Sequence, residues 1–118
     1  MDDHTRTEDS AVPKYMFIGN YTAQGAHGVL SDGGTRRRQA AEEVVGSVGG
    51  RIESMYFAFG GEDVYIIADL PDNKSAAAAS VVVNSAGGIA LRTVVLLSAE
   101  ELDGASKMSV NYSPPGKS

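Results

Sequence analysis

The chain has 118 residues, 42% of them hydrophobic, and a formal charge of −5, which fits one domain with a modest core. Residues 1–10 carry four acids and one arginine, so the remainder is nearly balanced and has no long-range field for nucleic acid or an anionic membrane. The chain has no cysteine, which excludes disulfides and thiolate chemistry. No stretch approaches the roughly 20 apolar residues of a membrane span, and MDDHTRTEDS has no apolar signal core. We therefore expect a cytoplasmic protein.

Composition divides the chain into three parts. Residues 1–12 are polar and acidic, and we predict a disordered N-terminal tail because they have too little apolar surface to offset the entropy of ordering. Residues 13–110 carry the patterns of one folded domain. Residues 111–118, NYSPPGKS, contain two prolines and are predicted to lie extended as a C-terminal tail.

The first half of the domain predicts a strand and a helix. Lys14 to Tyr21 alternates, with Tyr15 and Phe17 on one face and Met16 and Ile18 on the other, so both faces of this strand carry apolar groups. The next residues, 22–30, contain two glycines and predict an irregular or short helical link. Several N-cap candidates then precede a helix whose apolar residues follow helical spacing: Ala41, Val44, Val45 and Val48.

The central stretch, residues 51–71, predicts a β-hairpin. Ile52 to Phe59 and Val64 to Leu70 are rich in aromatic and β-branched residues, and GGED between them supplies a tight turn. The hairpin lies between a strand and helix on one side and a helix and strand on the other. This β-α-β-β-α-β order is typical of the split β-α-β motif and predicts a four-stranded antiparallel sheet.

The second half predicts a helix from Lys74 to Ala86, capped by Asp72 and its neighbours, and a fourth strand from Ile89 to Leu97. The helix is apolar almost all round, so we expect it to touch the sheet and something else, such as a partner subunit. Ser98 and Glu101 have the spacing of a capping box, which opens a last short helix. About two helices can cover only one face of the sheet, and this predicts a homodimer through the other face.

Acidic and basic clusters are the first candidate sites. Glu62 and Asp63 in the hairpin turn suit acid/base work if burial separates their pKa values, although a turn contact also explains Asp63. Residues 35–38, TRRR, follow two glycines at a helix start. Arg37 and its neighbours therefore suit a phosphate or carboxylate, and the alternative is a solvated face.

His27 stands between small residues and suits general base catalysis or haem ligation. No second ligand lies at metal spacing, so we expect no metal site. The remaining candidates are strand and helix residues with polar ends, namely Tyr21, Tyr56, Asn84 and Arg92. Tyr21, Tyr56 and one of Arg92 or Thr93 are predicted to project into a common cavity. The alternative is a tyrosine-rich core with Arg92 extended to a salt bridge.

Three segments resemble the GYD domain family over Pro13 to Gly116: KYMFIGNYTAQGAHGVL, RIESMYFAFGGEDVYIIADLPDN and NYSPPG. The family is named for a Gly-Tyr-Asp run in the central turn, and this chain has Glu62 where the tyrosine would stand. The resemblance implies a ferredoxin-like α+β fold of the dimeric α+β barrel type, in which two four-stranded sheets pack face to face. It implies no reaction, because GYD is a domain of unknown function. Relatives of this architecture include cofactor-free monooxygenases, haem-degrading enzymes, ring-forming polyketide enzymes and ligand sensors.

We therefore expect a homodimer or higher homo-oligomer that binds a small, partly apolar organic molecule, without a cofactor and without nucleic-acid or membrane partners. The alternative is a cofactor-independent oxygenase or cyclase in which Tyr21, His27 or Arg92 activates an aromatic or polyketide-like substrate. The third hypothesis is an interaction protein that functions through its dimer face or through a higher assembly. The chain has no dinucleotide glycine fingerprint, phosphate-loop lysine motif or Ser-His-Asp order.

Overall fold

A computed structural model describes residues 12–116. Its strands form one antiparallel sheet in the order β2-β3-β1-β4, which confirms the predicted ferredoxin-like α+β fold. The elements in chain order are β1 (Lys14–Tyr21), α1 (Ala23–Asp32), α2 (Gly34–Ser47), β2 (Arg51–Phe57), β3 (Val64–Asp69), α3 (Asn73–Ser85), β4 (Ile89–Leu96) and α4 (Ala99–Ser106). The predicted N-terminal tail lies outside the described residues except for Val12, as do the last two residues of the predicted C-terminal tail.

The link predicted between the first strand and first helix is itself a regular helix, α1. The Thr22 side chain caps it by accepting a hydrogen bond from the Gly25 N–H at 3.1 Å. Gly33, with φ of 82°, separates α1 from α2 and stands at the N-cap of α2 without a side-chain cap bond. Gly33 is one of the N-cap candidates that precede the predicted helix, and it joins the two helices directly because glycine readily adopts a positive φ.

Alternation along the strands gives the sheet an inner face and an open face. Tyr15 and Phe17 point to the inner face, where the two helices that bury side chains, α2 and α3, pack on the sheet. The core on this side consists of Tyr15, Phe17, Val45, Met55, Val64, Ile66, Ala68, Leu70 and Ala76. Its cohesion comes from apolar area removed from water.

The open face carries the other set of strand side chains, centred on Met16, Ile18, Ile67 and Val94. Met16 lies between Ile67 of β3 and Val94 of β4 in the strand register. Ile18 is only 6% exposed, because its cross-strand neighbours, Tyr65 and Arg92, are long. The remaining described helices, α1 and α4, bury no residue, so among residues 12–116 no buried helix residue covers the apolar centre of the open face.

Charged side chains form a cluster at one end of the open face. Asp69, 9% exposed, accepts hydrogen bonds from Lys14 Nζ at 2.7 Å and from Arg51 at 3.1 Å. Lys14 Nζ also donates to Glu53 at 2.6 Å, and these bonds, chiefly the one to Asp69, raise the pKa of Lys14. Because the three strands β1, β2 and β3 each contribute a charge, the cluster ties their register together.

Helix α3 begins at Asn73, one residue before the predicted Lys74, and Asp72 caps it as predicted by accepting a hydrogen bond from the Ser75 N–H at 2.9 Å. Helix α3 also carries two exposed valines: Val82, 63% exposed, and Val81, 65% exposed beside the depression between α3 and β4. The expected second contact of this helix therefore stays a prediction. In the part of the chain that the structure describes, no helix is long and apolar enough to cross a membrane.

Two glycines in α1 provide a matched test of how closely this helix packs against the residue before β4. A Cβ on Gly25 would come within 1.8 Å of the Gly88 carbonyl oxygen, whereas a Cβ on Gly28 would meet nothing within 4 Å. We expect Gly25→Ala to lower the free energy of unfolding by about 1–3 kcal/mol, because the neighbouring backbone must move. Gly28→Ala should raise it by up to about 1 kcal/mol, because alanine favours the helix. Urea unfolding curves measure both, and equal midpoints would contradict the close contact.

Candidate functional site

A pocket of about 120 Å³ lies between α2 and α3 above the inner face of the sheet. Its walls are apolar apart from two side chains, those of Tyr21 and Arg37. The apolar lining comes from all four strands and both helices: Phe17, Ala40, Ala41, Val44, Val45, Met55, Val64, Ile66, Ala79, Val83, Ile89 and Leu91. Such a concave apolar site with a few convergent polar groups is typical of small-molecule binding.

Tyr21 is the last residue of β1, and alternation along the strand places its side chain on the inner face with those of Tyr15 and Phe17. Its backbone N–H donates to Asp63 Oδ2 at 2.9 Å, which fixes the end of the strand. Burial raises the pKa of the Tyr21 phenol, and the positive charge of Arg37 opposes that rise. The hydroxyl is therefore a neutral hydrogen-bond donor at neutral pH.

Arg37 lies in the first turns of α2, at the same end of the pocket as Tyr21. A Cβ on Gly34 would come within 3.4 Å of the Phe57 ring, which places the start of α2 beside the end of β2. One guanidinium nitrogen of Arg37 contacts Asp32 Oδ2 at 3.3 Å. Arg38 pairs instead with Glu42 at 3.2 Å on the outside of the helix, so the three arginines do not converge on one site.

Asp63 and Glu62, the acidic candidates of the turn, serve the framework. Asp63 receives the Tyr21 N–H and donates its own N–H to the Gly19 carbonyl at 2.9 Å, so it extends the pairing of β1 with the hairpin. Glu62 lies 3.4 Å from the Asn20 amide and 3.7 Å from Arg92. Neither carboxylate lines the pocket.

Asn84 is likewise a connecting residue. Its side-chain amide accepts from the Leu91 N–H at 2.7 Å and donates to the Leu91 carbonyl at 3.1 Å. This pair of bonds joins α3 to β4 and leaves the amide little capacity for a ligand.

The structure does not bring Tyr21, Tyr56 and Arg92 into one cavity. Arg92 projects from the open face, 64% exposed in its side chain, toward Glu62, and Tyr56 is 71% exposed on the edge strand β2. Thr93 lies on the inner face of β4 and lines a separate depression beside α3, together with Arg92, Tyr15 and Asn73. The prediction failed because the strand register places Arg92 opposite Ile18 rather than opposite an inward-facing residue.

His27 lies exposed on α1 and does not line the pocket. Among residues 12–116, no group of three or more His, Asp or Glu side chains is arranged to hold a metal ion. Tyr21, His27 and Arg92, the residues of the enzyme hypothesis, therefore do not form one constellation.

Sequence reasoning missed most of the pocket lining, in particular Ala40, Ala41 and Ala79. Their signal in the sequence is the small size of side chains at helical positions that face the sheet. Small side chains on two facing helices allow either close approach or a space between them, and the sequence alone does not distinguish the two.

The raised pKa of Tyr21 predicts a pH dependence of stability. A phenol whose pKa is higher in the folded state contributes stability that is complete below the unfolded value of about 10 and is lost as pH rises through the folded value. Burial raises the pKa of Tyr15 in the same way. We expect Tyr21→Phe to reduce the alkaline decline in the free energy of unfolding, measured by urea titration from pH 8 to 11.

The exposed Tyr56 supplies the control, because Tyr56→Phe leaves both buried phenols in place. An alkaline decline that is unchanged in Tyr21→Phe would contradict burial of this phenol in the folded protein.

Comparison with known proteins assigns the chain to a family without supplying a reaction. No curated protein and no solved structure matches the chain. The family model of the GYD domain matches residues 15–105, a span that includes the sheet, the pocket and most of α4. The protein therefore belongs to the GYD domain family.

Proposed function

We propose that this GYD-domain protein is a homodimer that binds a small, partly apolar molecule in the pocket between α2 and α3. The observation that carries the proposal is the pocket itself, whose lining is apolar except for Tyr21 and Arg37. Protein interiors are normally packed as closely as organic crystals. An apolar space in a core this small lowers stability unless a ligand fills it.

The open face supports the dimer. Met16, Ile18, Ile67 and Val94 form an apolar centre in the strand register, and within the described part of the chain no buried helix residue covers it. The Lys14, Arg51 and Asp69 cluster lies at one end and Arg92 with Glu62 toward the other. A second copy related by a two-fold axis presents the same pattern and excludes water from both apolar centres.

Two alanines of α3 test the pocket. Ala79 is buried and lines it, whereas Ala78 is exposed on the same helix and does not. We expect Ala79→Leu to fill the space and weaken binding of the neutral apolar dye Nile red at least tenfold, because the added isobutyl group occupies the ligand volume. Fluorescence titration measures this effect.

Ala78→Leu is the control and should bind the dye as the parent protein does. Native mass spectrometry of protein purified from its own host gives a second readout, since retained mass should vanish in Ala79→Leu alone. Equal dye affinity in both variants would contradict the pocket as the binding site.

An isoleucine and a leucine test the dimer. Ile67 lies at the centre of the open face, whereas Leu30 is 83% exposed on α1 and is not part of the sheet. We expect the parent protein and Leu30→Lys to have twice the 12.3 kDa mass of one chain, and Ile67→Lys to be monomeric, because a buried unpaired ammonium opposes association. Native mass spectrometry measures the mass, and far-ultraviolet circular dichroism checks that each variant is folded. A monomeric parent protein would overturn the dimer.

A further inference from the structure

The polar end of the pocket has the character of an anion site with a single positive charge. Tyr21 and Arg37 both contribute hydrogen-bond donors there, and no carboxylate lines the pocket. Asp32 reaches Arg37 from outside, with both side chains more than one-third exposed. Arg37 donates to Asp32 and also lies within hydrogen-bonding reach of the Tyr21 hydroxyl, and these two contacts leave further guanidinium donors for a ligand.

We propose that the ligand is a small monocarboxylic acid, with its carboxylate bound by Arg37 and the Tyr21 hydroxyl and its apolar body lying between α2 and α3. This assignment rests on the proposed function of the pocket and adds the chemical class of the ligand. Guanidinium matches a carboxylate with two parallel hydrogen bonds. The phenol adds a third donor because a tyrosine hydroxyl is protonated at neutral pH.

The arrangement of the other arginines argues against a multiply charged head group. Arg38 is paired with Glu42 on the outer surface, and neither Arg36 nor Arg38 lines the pocket. A phosphate ester would bring up to two negative charges to one cation and one phenol. A monocarboxylate brings one charge, which matches the single guanidinium in the pocket lining.

The remaining lining fits an apolar body rather than a second polar group. Beyond Tyr21 and Arg37, every lining residue is alanine, valine, leucine, isoleucine, methionine or phenylalanine. A hydroxyl or amide on the body would have no partner in these walls and would lose its hydrogen bonds to water. The best ligands are therefore amphipathic acids with the charge at one end.

Octanoate and octan-1-ol test the head group, because they share an alkyl body and differ in charge. Isothermal titration calorimetry at neutral pH should show octanoate binding the parent protein about tenfold or more tightly than octan-1-ol, since hydrogen bonds to a charged group exceed those to a neutral one. Arg37→Gln should abolish this preference, and the matched Arg38→Gln should retain it. Tyr21→Phe should reduce it, and it serves as the second variant if Arg37→Gln does not fold.

Each other result overturns the assignment. Equal affinities for octanoate and octan-1-ol would reject the carboxylate site while leaving an apolar pocket intact. Competition by inorganic phosphate as strong as that by octanoate would reject the monocarboxylate in favour of a general anion site. Equal loss in Arg37→Gln and Arg38→Gln would assign the preference to surface charge. Failure of octanoate, octan-1-ol and Nile red to bind would remove both this inference and the proposed function.

Discussion

The structure depends on the two-sided character of β1. This strand is central in the sheet, paired with β3 on one side and β4 on the other, and it carries apolar side chains on both faces. Tyr15 and Phe17 must be covered by helices, and Met16 and Ile18 need cover of their own. In the part of the chain that the structure describes, the buried helix residues all lie on the inner face. The packing of α2 and α3 on one face and the proposed association through the other both follow from this asymmetry.

On the inner face, the pocket results from the sizes of the side chains that meet there. Ala40, Ala41 and Ala79 stand where larger residues would complete the core, and the strands below provide a flat apolar floor. The two residues at the polar end of the pocket are positioned by the ends of their elements. Asp63 fixes the end of β1 and so positions Tyr21. Gly33 stands at the start of α2 and so positions Arg37. The framework acids and glycines therefore place the two polar groups without entering the pocket.

The fold was predictable because its signals are local. The central hairpin, the Asp72 cap and the capping box of Ser98 and Glu101 all appear in the structure. The site was predicted less well because pockets depend on distances between elements. Tyr21 and Arg37 were recognised separately, but no pattern in the sequence shows that α2 begins beside the end of β2 and brings Arg37 close to Tyr21. The prediction that Arg92 enters a cavity failed because the face on which its side chain lies depends on the strand register. A shift of one residue in that register would move the side chain to the other face.

The bonding of Asn84 to Leu91 has a consequence for how copies of the protein meet. The strand β4 is an edge of the sheet, and an edge strand with free N–H and C=O groups invites another chain to add to it. At Leu91 both groups are already occupied by the Asn84 amide. A side chain thus imitates a neighbouring strand in the middle of this edge. Pairing of a further strand with β4, which would extend the sheet into a fibre, is interrupted at Leu91.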